Sequence, residues 1–158
     1  MHRLFRDVFT GLDTRQKKAK PVNELHTLLY TDPQSEKLRR TQAIANLLFS
    51  FCGMPFVDLA HLEKSNLEGN ILKYNRTKTG TPMSVKILES ASDIVSRLRN
   101  FHSSVLPEHP DYLFYILSGK NKRDEEAAYK EYQSTLRRFN NDLKSLARKL
   151  HIHSAVTS

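Results

Sequence analysis

The fold is decided by the stretch GMPFVDLAHL at residues 53–62. Gly53 is suited to end a preceding helix, because glycine adopts left-handed backbone conformations without a steric penalty. Pro55 is suited to the first turn of a following helix, where its missing N–H is not needed. The pattern therefore predicts a short helix from Pro55 to about Leu62. Asp58 falls near its start, where the helix dipole favours a carboxylate.

Two helices are predicted before this stretch. The first covers residues 22–30 and is ended by Asp32-Pro33, a pair that breaks helices. The second runs from Ser35 to about Cys52, and its apolar residues lie all round it, as in a helix buried on most sides. Cys52 is the single cysteine, so no internal disulfide can form, and a reducing cytosol fits. Its predicted role from residue type alone is that of a small buried apolar side chain.

A β-hairpin is predicted after the central stretch, from ILKYNRTKTGTPMSVKIL at residues 71–88. Alternating side chains define two antiparallel strands, 71–78 and 83–88. Thr79-Gly80 supplies the tight turn between them.

The predicted hairpin is basic near its tip. Lys78 precedes the turn, and Lys73 and Arg76 add positive charge to the same ribbon. A lysine at the tip of a two-stranded ribbon can enter a DNA groove and reach a phosphate or a base edge. Taken alone, Lys78 is more simply interpreted as an ordinary exposed turn lysine.

Beyond the hairpin, helices are predicted from Ser90 to about Ser104 and from Ala127 to Leu150, while residues 151–158 are expected to fray. The last helix carries one apolar seam at helical spacing, which indicates a face turned to the core. The seam consists of Tyr132, Leu136, Phe139, Leu143, Leu146 and Leu150. The predicted fold class is α+β, mainly α-helical, with a small antiparallel sheet (the hairpin at about 71–88) between helices.

The charge balance favours a polyanionic partner. The chain has 25 Lys and Arg against 17 Asp and Glu, a formal net charge of +8 in 158 residues, and a pI of about 9.7. This is typical of nucleic-acid-binding domains, although such a charge can also serve only to keep a protein dispersed. Lys17, Lys18 and Lys20 belong to a basic segment before Pro21, which is either a DNA-tracking linker or a solvated tail.

Several site classes are disfavoured. One cysteine and seven scattered histidines give no zinc pattern, and five glycines give no phosphate-binding loop. No apolar run reaches about 18 residues, so no membrane span is expected. The sequence thus predicts no metal, no cofactor and no membrane partner.

The central stretch and the basic hairpin together resemble the catalytic domain of the tyrosine recombinases (phage-type integrases), especially the branch common in gut Bacteroidetes. The resemblance covers about residues 22–158 and implies a partial catalytic domain there. Residues 1–21 resemble a basic linker at the end of a preceding DNA-clamping domain. The resemblance implies double-stranded DNA as partner, a bacterial cytoplasm with nucleoid association, and a role in the recombination and integration of mobile genetic elements.

The resemblance also implies residue roles. It gives Lys78 the task of protonating the leaving 5′-oxygen and Asp58 a supporting role in the catalytic geometry. Cys52 stands where many relatives have an arginine that clamps the scissile phosphate, a task for which cysteine lacks the charge. Three explanations stay open: an arginine from elsewhere, such as Arg39 or Arg40, a degenerate site, or an alignment displaced by a residue or two.

The family's remaining catalytic residues are not found in this sequence. A His-x-x-Arg motif is absent from the 158 residues, and the six tyrosines all precede the point where that motif would stand. We therefore expect this chain to bind DNA without forming the phosphotyrosyl intermediate of the full-length recombinase. Two alternatives are a non-catalytic DNA-binding remnant that regulates an intact recombinase, and a helical interaction module that self-associates through the seam of the last helix.

Overall fold

The computed structural model describes residues 21–105, 111–120, 123–153 and 156, with side chains only up to residue 100 in the first range. The predicted basic linker, with Lys17, Lys18 and Lys20, lies outside these residues.

Helices form most of the described chain. They are α1 (Val22–Tyr30), α2 (Glu36–Ser50), α3 (Phe56–His61), α4 (Glu89–Val105) and α5 (Glu125–Lys149), with a short 3-10 helix at Lys64–Asn66. Three antiparallel strands, β1 (Leu67–Glu68), β2 (Ile71–Asn75) and β3 (Pro82–Lys86), form one sheet in the order β1-β2-β3. The predicted mixed α+β class, mainly helical with a small antiparallel sheet, is confirmed.

The hairpin of β2 and β3 pairs Leu72 with Val85 and Tyr74 with Met83. Leu72 and Val85 are buried, so this face of the hairpin packs on the core. The prediction that the first strand reaches Lys78 is wrong, because β2 ends at Asn75. The sequence predicts no strand at β1, since its two residues are too few to show the alternation of a strand.

The core is built around α2, which contacts α1, α4 and α5. Leu47 of α2 and Leu146 of α5 are fully buried. Phe56 of α3 stacks on Phe139 of α5, with ring centroids 4.7 Å apart, so the short helix is fixed against the longest one. The apolar residues of α2 do not all lie inside, because Phe49 is 53 % exposed.

The prediction that residues 151–158 fray is wrong for the residues described there, 151–153 and 156. Ile152 and Val156 are buried in the same core, and the Ile152 N–H donates to the Ala147 carbonyl at 2.8 Å. His151 has a φ of +56°, a left-handed conformation that turns the chain back after α5. The two buried side chains stabilise this return, and no periodic pattern in so short a segment could have indicated it.

Candidate functional site

A sharp turn joins α2 to α3 and decides where Cys52 points. Cys52 and Gly53 both have left-handed backbones, with φ of +58° and +72°, and the Met54 N–H donates to the Leu48 carbonyl at 3.0 Å. Cys52 is exposed, so its prediction as a small buried apolar residue is wrong. α2 ends before Cys52, and the left-handed turn that follows directs the Cys52 side chain away from the core.

Asp58 on α3 links the helix to the hairpin. Its side chain is only 3 % exposed, and Oδ1 accepts the backbone N–H of Thr77 at 2.9 Å. A carboxylate that only favoured the helix dipole would remain in solvent, whereas this one bridges two elements 19 residues apart. Its second oxygen, Oδ2, is buried and has no hydrogen-bond partner among the described residues. A buried carboxylate oxygen without a hydrogen-bond partner is costly in free energy.

The loop that Asp58 holds runs from Arg76 to Thr81. The Arg76 N–H donates to the Thr81 carbonyl at 2.8 Å, and the Gly80 N–H donates back to the Arg76 carbonyl at 2.7 Å. Gly80 has a φ of +67°, a conformation that glycine adopts at little cost. The six residues therefore form a closed loop with defined hydrogen bonds, anchored at Thr77 by the buried carboxylate.

The basic side chains of the hairpin differ in their partners. Lys78 is exposed and Arg76 is half-buried, and neither makes an ion pair with another described residue. Lys73 is exposed as well, but its Nζ lies 2.6 Å from Oε2 of Glu68 across the sheet. An exposed pair of this kind is weak, so Lys73 can still exchange its partner for a phosphate.

Tyr74 connects these groups electrostatically. Burial raises the pKa of its phenol, the charge of Asp58 raises this pKa further, Arg76 lowers it, and Cys52 raises it slightly. The four groups are therefore close enough to interact, at the point where α3 meets β2. We call Cys52, Asp58, Tyr74 and Arg76 the hairpin junction.

Three of the predicted site residues, Cys52, Asp58 and Arg76, thus belong to the hairpin junction. Lys78 lies two residues after Arg76, in the loop that Asp58 anchors. Tyr74 was not predicted as a site residue. The available signal was the alternation of β2, which places Tyr74 on the same face as Arg76.

Arg39 and Arg40 do not replace the guanidinium that Cys52 lacks. They lie in the first turns of α2, roughly 18 Å along the helix axis from Cys52. Arg39 Nε lies 2.9 Å from Oδ1 of Asp32, and Arg40 donates to the Tyr115 carbonyl. Neither arginine lies near the junction, so these two residues are not the source of the missing guanidinium, and an arginine from elsewhere stays an open explanation.

The apolar seam of α5 faces the domain's own core. Phe139, Leu143 and Leu146 are buried, and Tyr132, Leu136 and Leu150 are partly buried against the same core. Self-association through α5 stays a prediction, and it would have to use the exposed edges of the partly buried residues.

Among the residues that the structure describes, no three His, Cys, Asp or Glu side chains are grouped so that they could hold a metal ion. Within the same residues, no helix combines the length and the apolar character needed to cross a membrane. Comparison with known proteins finds no match for this chain among family models, curated proteins or solved structures.

Proposed function

We propose that this chain is the DNA-binding part of a site-specific tyrosine recombinase, with the loop of residues 76–81 as its contact to the duplex. The observation that carries the proposal is the hydrogen bond from the Thr77 N–H to buried Asp58, because it fixes a basic loop to the core. A bond of this kind reduces the conformational freedom that the loop would lose on binding.

The charges of the loop suit a phosphate backbone. Arg76 and Lys78 make no ion pair with a described carboxylate, so binding a phosphate would break no internal ion pair. Each neutralised phosphate releases condensed counterions, which makes affinity strongly dependent on salt. The net charge of +8 adds long-range attraction to the same polyanion.

The cysteine at position 52 restricts the activity that we propose for this chain. In many members of the family that the chain resembles, this position holds a phosphate-clamping arginine, whereas here it holds an exposed cysteine. We therefore propose weak DNA binding for these 158 residues, and cleavage and rejoining of strands only for a longer recombinase that supplies His-x-x-Arg and the tyrosine nucleophile. A regulatory DNA-binding remnant would share the same contact surface.

The test is fluorescence anisotropy with a short labelled duplex, titrated at several salt concentrations between about 50 and 200 mM. We expect log Kd to rise linearly with log salt concentration. Lys78→Glu and Arg76→Glu should each weaken binding at least about tenfold and reduce the salt slope by about one.

Lys144→Glu is the matched control, since Lys144 is an exposed lysine of α5 and its replacement changes the net charge equally. It lies far from the junction, because nearby Asp142 pairs with Lys37 at the opposite end of α2 at 2.7 Å. Binding that is absent or independent of salt would overturn the proposal. Equal weakening by all three reversals would show that the loop has no special part in binding.

A gain of affinity tests the junction more directly. Cys52→Arg puts a guanidinium on an exposed position of the hairpin junction. We expect about tenfold tighter duplex binding and a salt slope steeper by about one, since one more phosphate is contacted. Cys52→Ser should leave both unchanged. If Cys52→Arg changes neither the affinity nor the salt slope, this position does not correspond to the phosphate-clamping arginine of the recombinases.

A further inference from the structure

A second basic feature lies at the other end of α2. There α2, α4, α5 and the segment 115–118 enclose a cavity of about 1000 Å³. Its apolar residues come from all these elements and from α3, and they are Ala43, Ile44, Phe56, Leu98, Ile116 and Phe139. A cavity of this size that combines such an apolar floor with charged and hydrogen-bonding side chains is suited to a small organic molecule.

Four arginines line this cavity, and three of them come from three different helices: Arg40 of α2, Arg97 of α4 and Arg138 of α5. Arg40 donates to the Tyr115 carbonyl, and its guanidinium lies 5.4 Å from the centre of the Tyr115 ring. Burial lowers the pKa of Arg40, Tyr115 acts in the opposite direction, and the charge of Arg138 lowers this pKa further. The last effect means that the Arg40 and Arg138 guanidiniums repel each other, and a bound anion would reduce this repulsion.

The acidic side chains around the cavity already have partners. Asp142 pairs with Lys37 at 2.7 Å, Glu36 interacts with Arg39 at 3.4 Å, and Glu131 accepts the Ser118 N–H. Five basic against three acidic side chains give the lining a net charge of +2.

Two of the cavity's arginines keep most of their donors unused. The only contact of the Arg138 guanidinium with a described residue is Thr135 Oγ1 at 3.4 Å. Arg97 makes no hydrogen bond or ion pair with any described residue. Their planar, fixed donors match carboxylate and phosphate oxygens in pairs.

We propose that this cavity binds a small organic anion, an aromatic or aliphatic body that carries a carboxylate or a phosphate. The apolar floor takes the body by the hydrophobic effect, and the arginines take the charged group. Inorganic phosphate has no apolar body, so its binding would leave the apolar floor exposed to water. This site is separate from the proposed DNA contact and goes beyond it.

Three naphthalene compounds test the proposal: 1-naphthyl phosphate, 1-naphthoate and the neutral 1-naphthol. The chain has no tryptophan, so naphthalene fluorescence can be excited and read without overlap from indole. We expect saturable binding of one molecule per chain, with at least one anion bound about tenfold more tightly than naphthol. The phosphate and the carboxylate compounds show which acid group the site prefers.

The arginines are tested by Arg97→Gln and Arg138→Gln, which replace exposed side chains and leave the buried core intact. Each should weaken anion binding about fivefold or more, while naphthol binding stays unchanged and so reports an intact floor. Arg137→Gln is the matched control, because Arg137 is an exposed neighbour on α5 that does not line the cavity.

Three results would overturn the proposal. Naphthol that binds as tightly as both anions would show an apolar site without charge recognition. Inorganic phosphate that displaces the naphthyl anions at equal concentration would show charge binding without use of the floor. An equal effect of Arg137→Gln and Arg138→Gln would show that only the net charge of the chain matters.

Discussion

The two ends of α2 carry the same sign of charge in two different settings. At the hairpin junction and its loop, Arg76 and Lys78 stand on an open turn that one buried carboxylate holds in place. At the other end, Arg40, Arg97 and Arg138 surround an apolar cavity. Charges on an open loop suit a long polyanion and are screened by salt, whereas guanidiniums at the edge of an apolar floor suit a small ligand that has an apolar body. Charge alone therefore does not identify the ligand of a basic surface.

Both regions depend on α3. Phe56 lines the cavity and stacks on Phe139, and two residues later Asp58 holds the hairpin loop. The six residues of this helix thus fix two surfaces at once, one through their apolar side chains and one through a carboxylate.

The largest expected effect comes from removing this shared support. Phe139→Ala deletes a buried ring and leaves a cavity beneath α3, so the free energy of unfolding should fall by about 3–5 kcal/mol. Phe139→Leu fills most of the space and should cost much less. Urea unfolding followed by circular dichroism measures both. A loss of under about 1 kcal/mol in the alanine variant would mean that α3 is held by other contacts.

A substitution with a smaller effect on stability should distinguish the hairpin loop from the cavity. Asp58→Ala removes the acceptor of the Thr77 N–H, which costs about 1–3 kcal/mol, but it also removes the unpartnered buried Oδ2. The net loss of unfolding free energy should therefore be near 1 kcal/mol and local to the hairpin loop.

Hydrogen exchange at the Thr77 amide measures this local loosening, and the rate should rise several-fold in the alanine variant. Asp58→Asn keeps a carbonyl acceptor at the same place and should protect the amide better. We expect weaker DNA binding and unchanged naphthyl binding in Asp58→Ala. A parallel loss of both affinities would show that the two ends of α2 are not independent.

The regions also differ in how far the sequence could predict them. The basic hairpin follows from alternation and a glycine turn within 18 residues, so Lys78 and Arg76 were found directly. The arginine cavity could not be predicted, because residues 40, 97 and 138 meet only when α2, α4 and α5 pack together. Periodicity shows which face of a helix is apolar, but it does not show which helix that face meets.

Errors within the junction have a local cause. The sequence predicts that the second helix includes Cys52, whereas α2 ends at Ser50 and the left-handed turn follows. Because Cys52 lies beyond the end of the helix and has a left-handed backbone, its side chain does not take the inward direction that helical spacing predicts. The role of Asp58 was equally hidden, because its partner Thr77 belongs to a loop whose path depends on the register of β2 and β3.

The smallest expected effect concerns the titration of Tyr74 at the junction. Burial and the charge of Asp58 raise its pKa above the ordinary value of 10.0, and Arg76 offsets only part of this. The unfolded chain therefore loses the phenol proton first as the pH rises. The contribution of Tyr74 to stability is complete below about pH 10 and is lost as the pH rises through the higher pKa of the folded state.

Tyr74→Phe should make the urea midpoint fall less steeply between about pH 9 and 11 than it does in the parent chain. Lysines titrate in both proteins and cancel in the difference, and Tyr132, whose pKa burial also raises, remains in both. Asp58→Asn should lower the pKa of Tyr74, as measured by NMR of ¹³C-labelled tyrosine. Identical pH slopes for the parent and Tyr74→Phe would mean that the phenol lies in solvent and that the junction is more open than the structure shows.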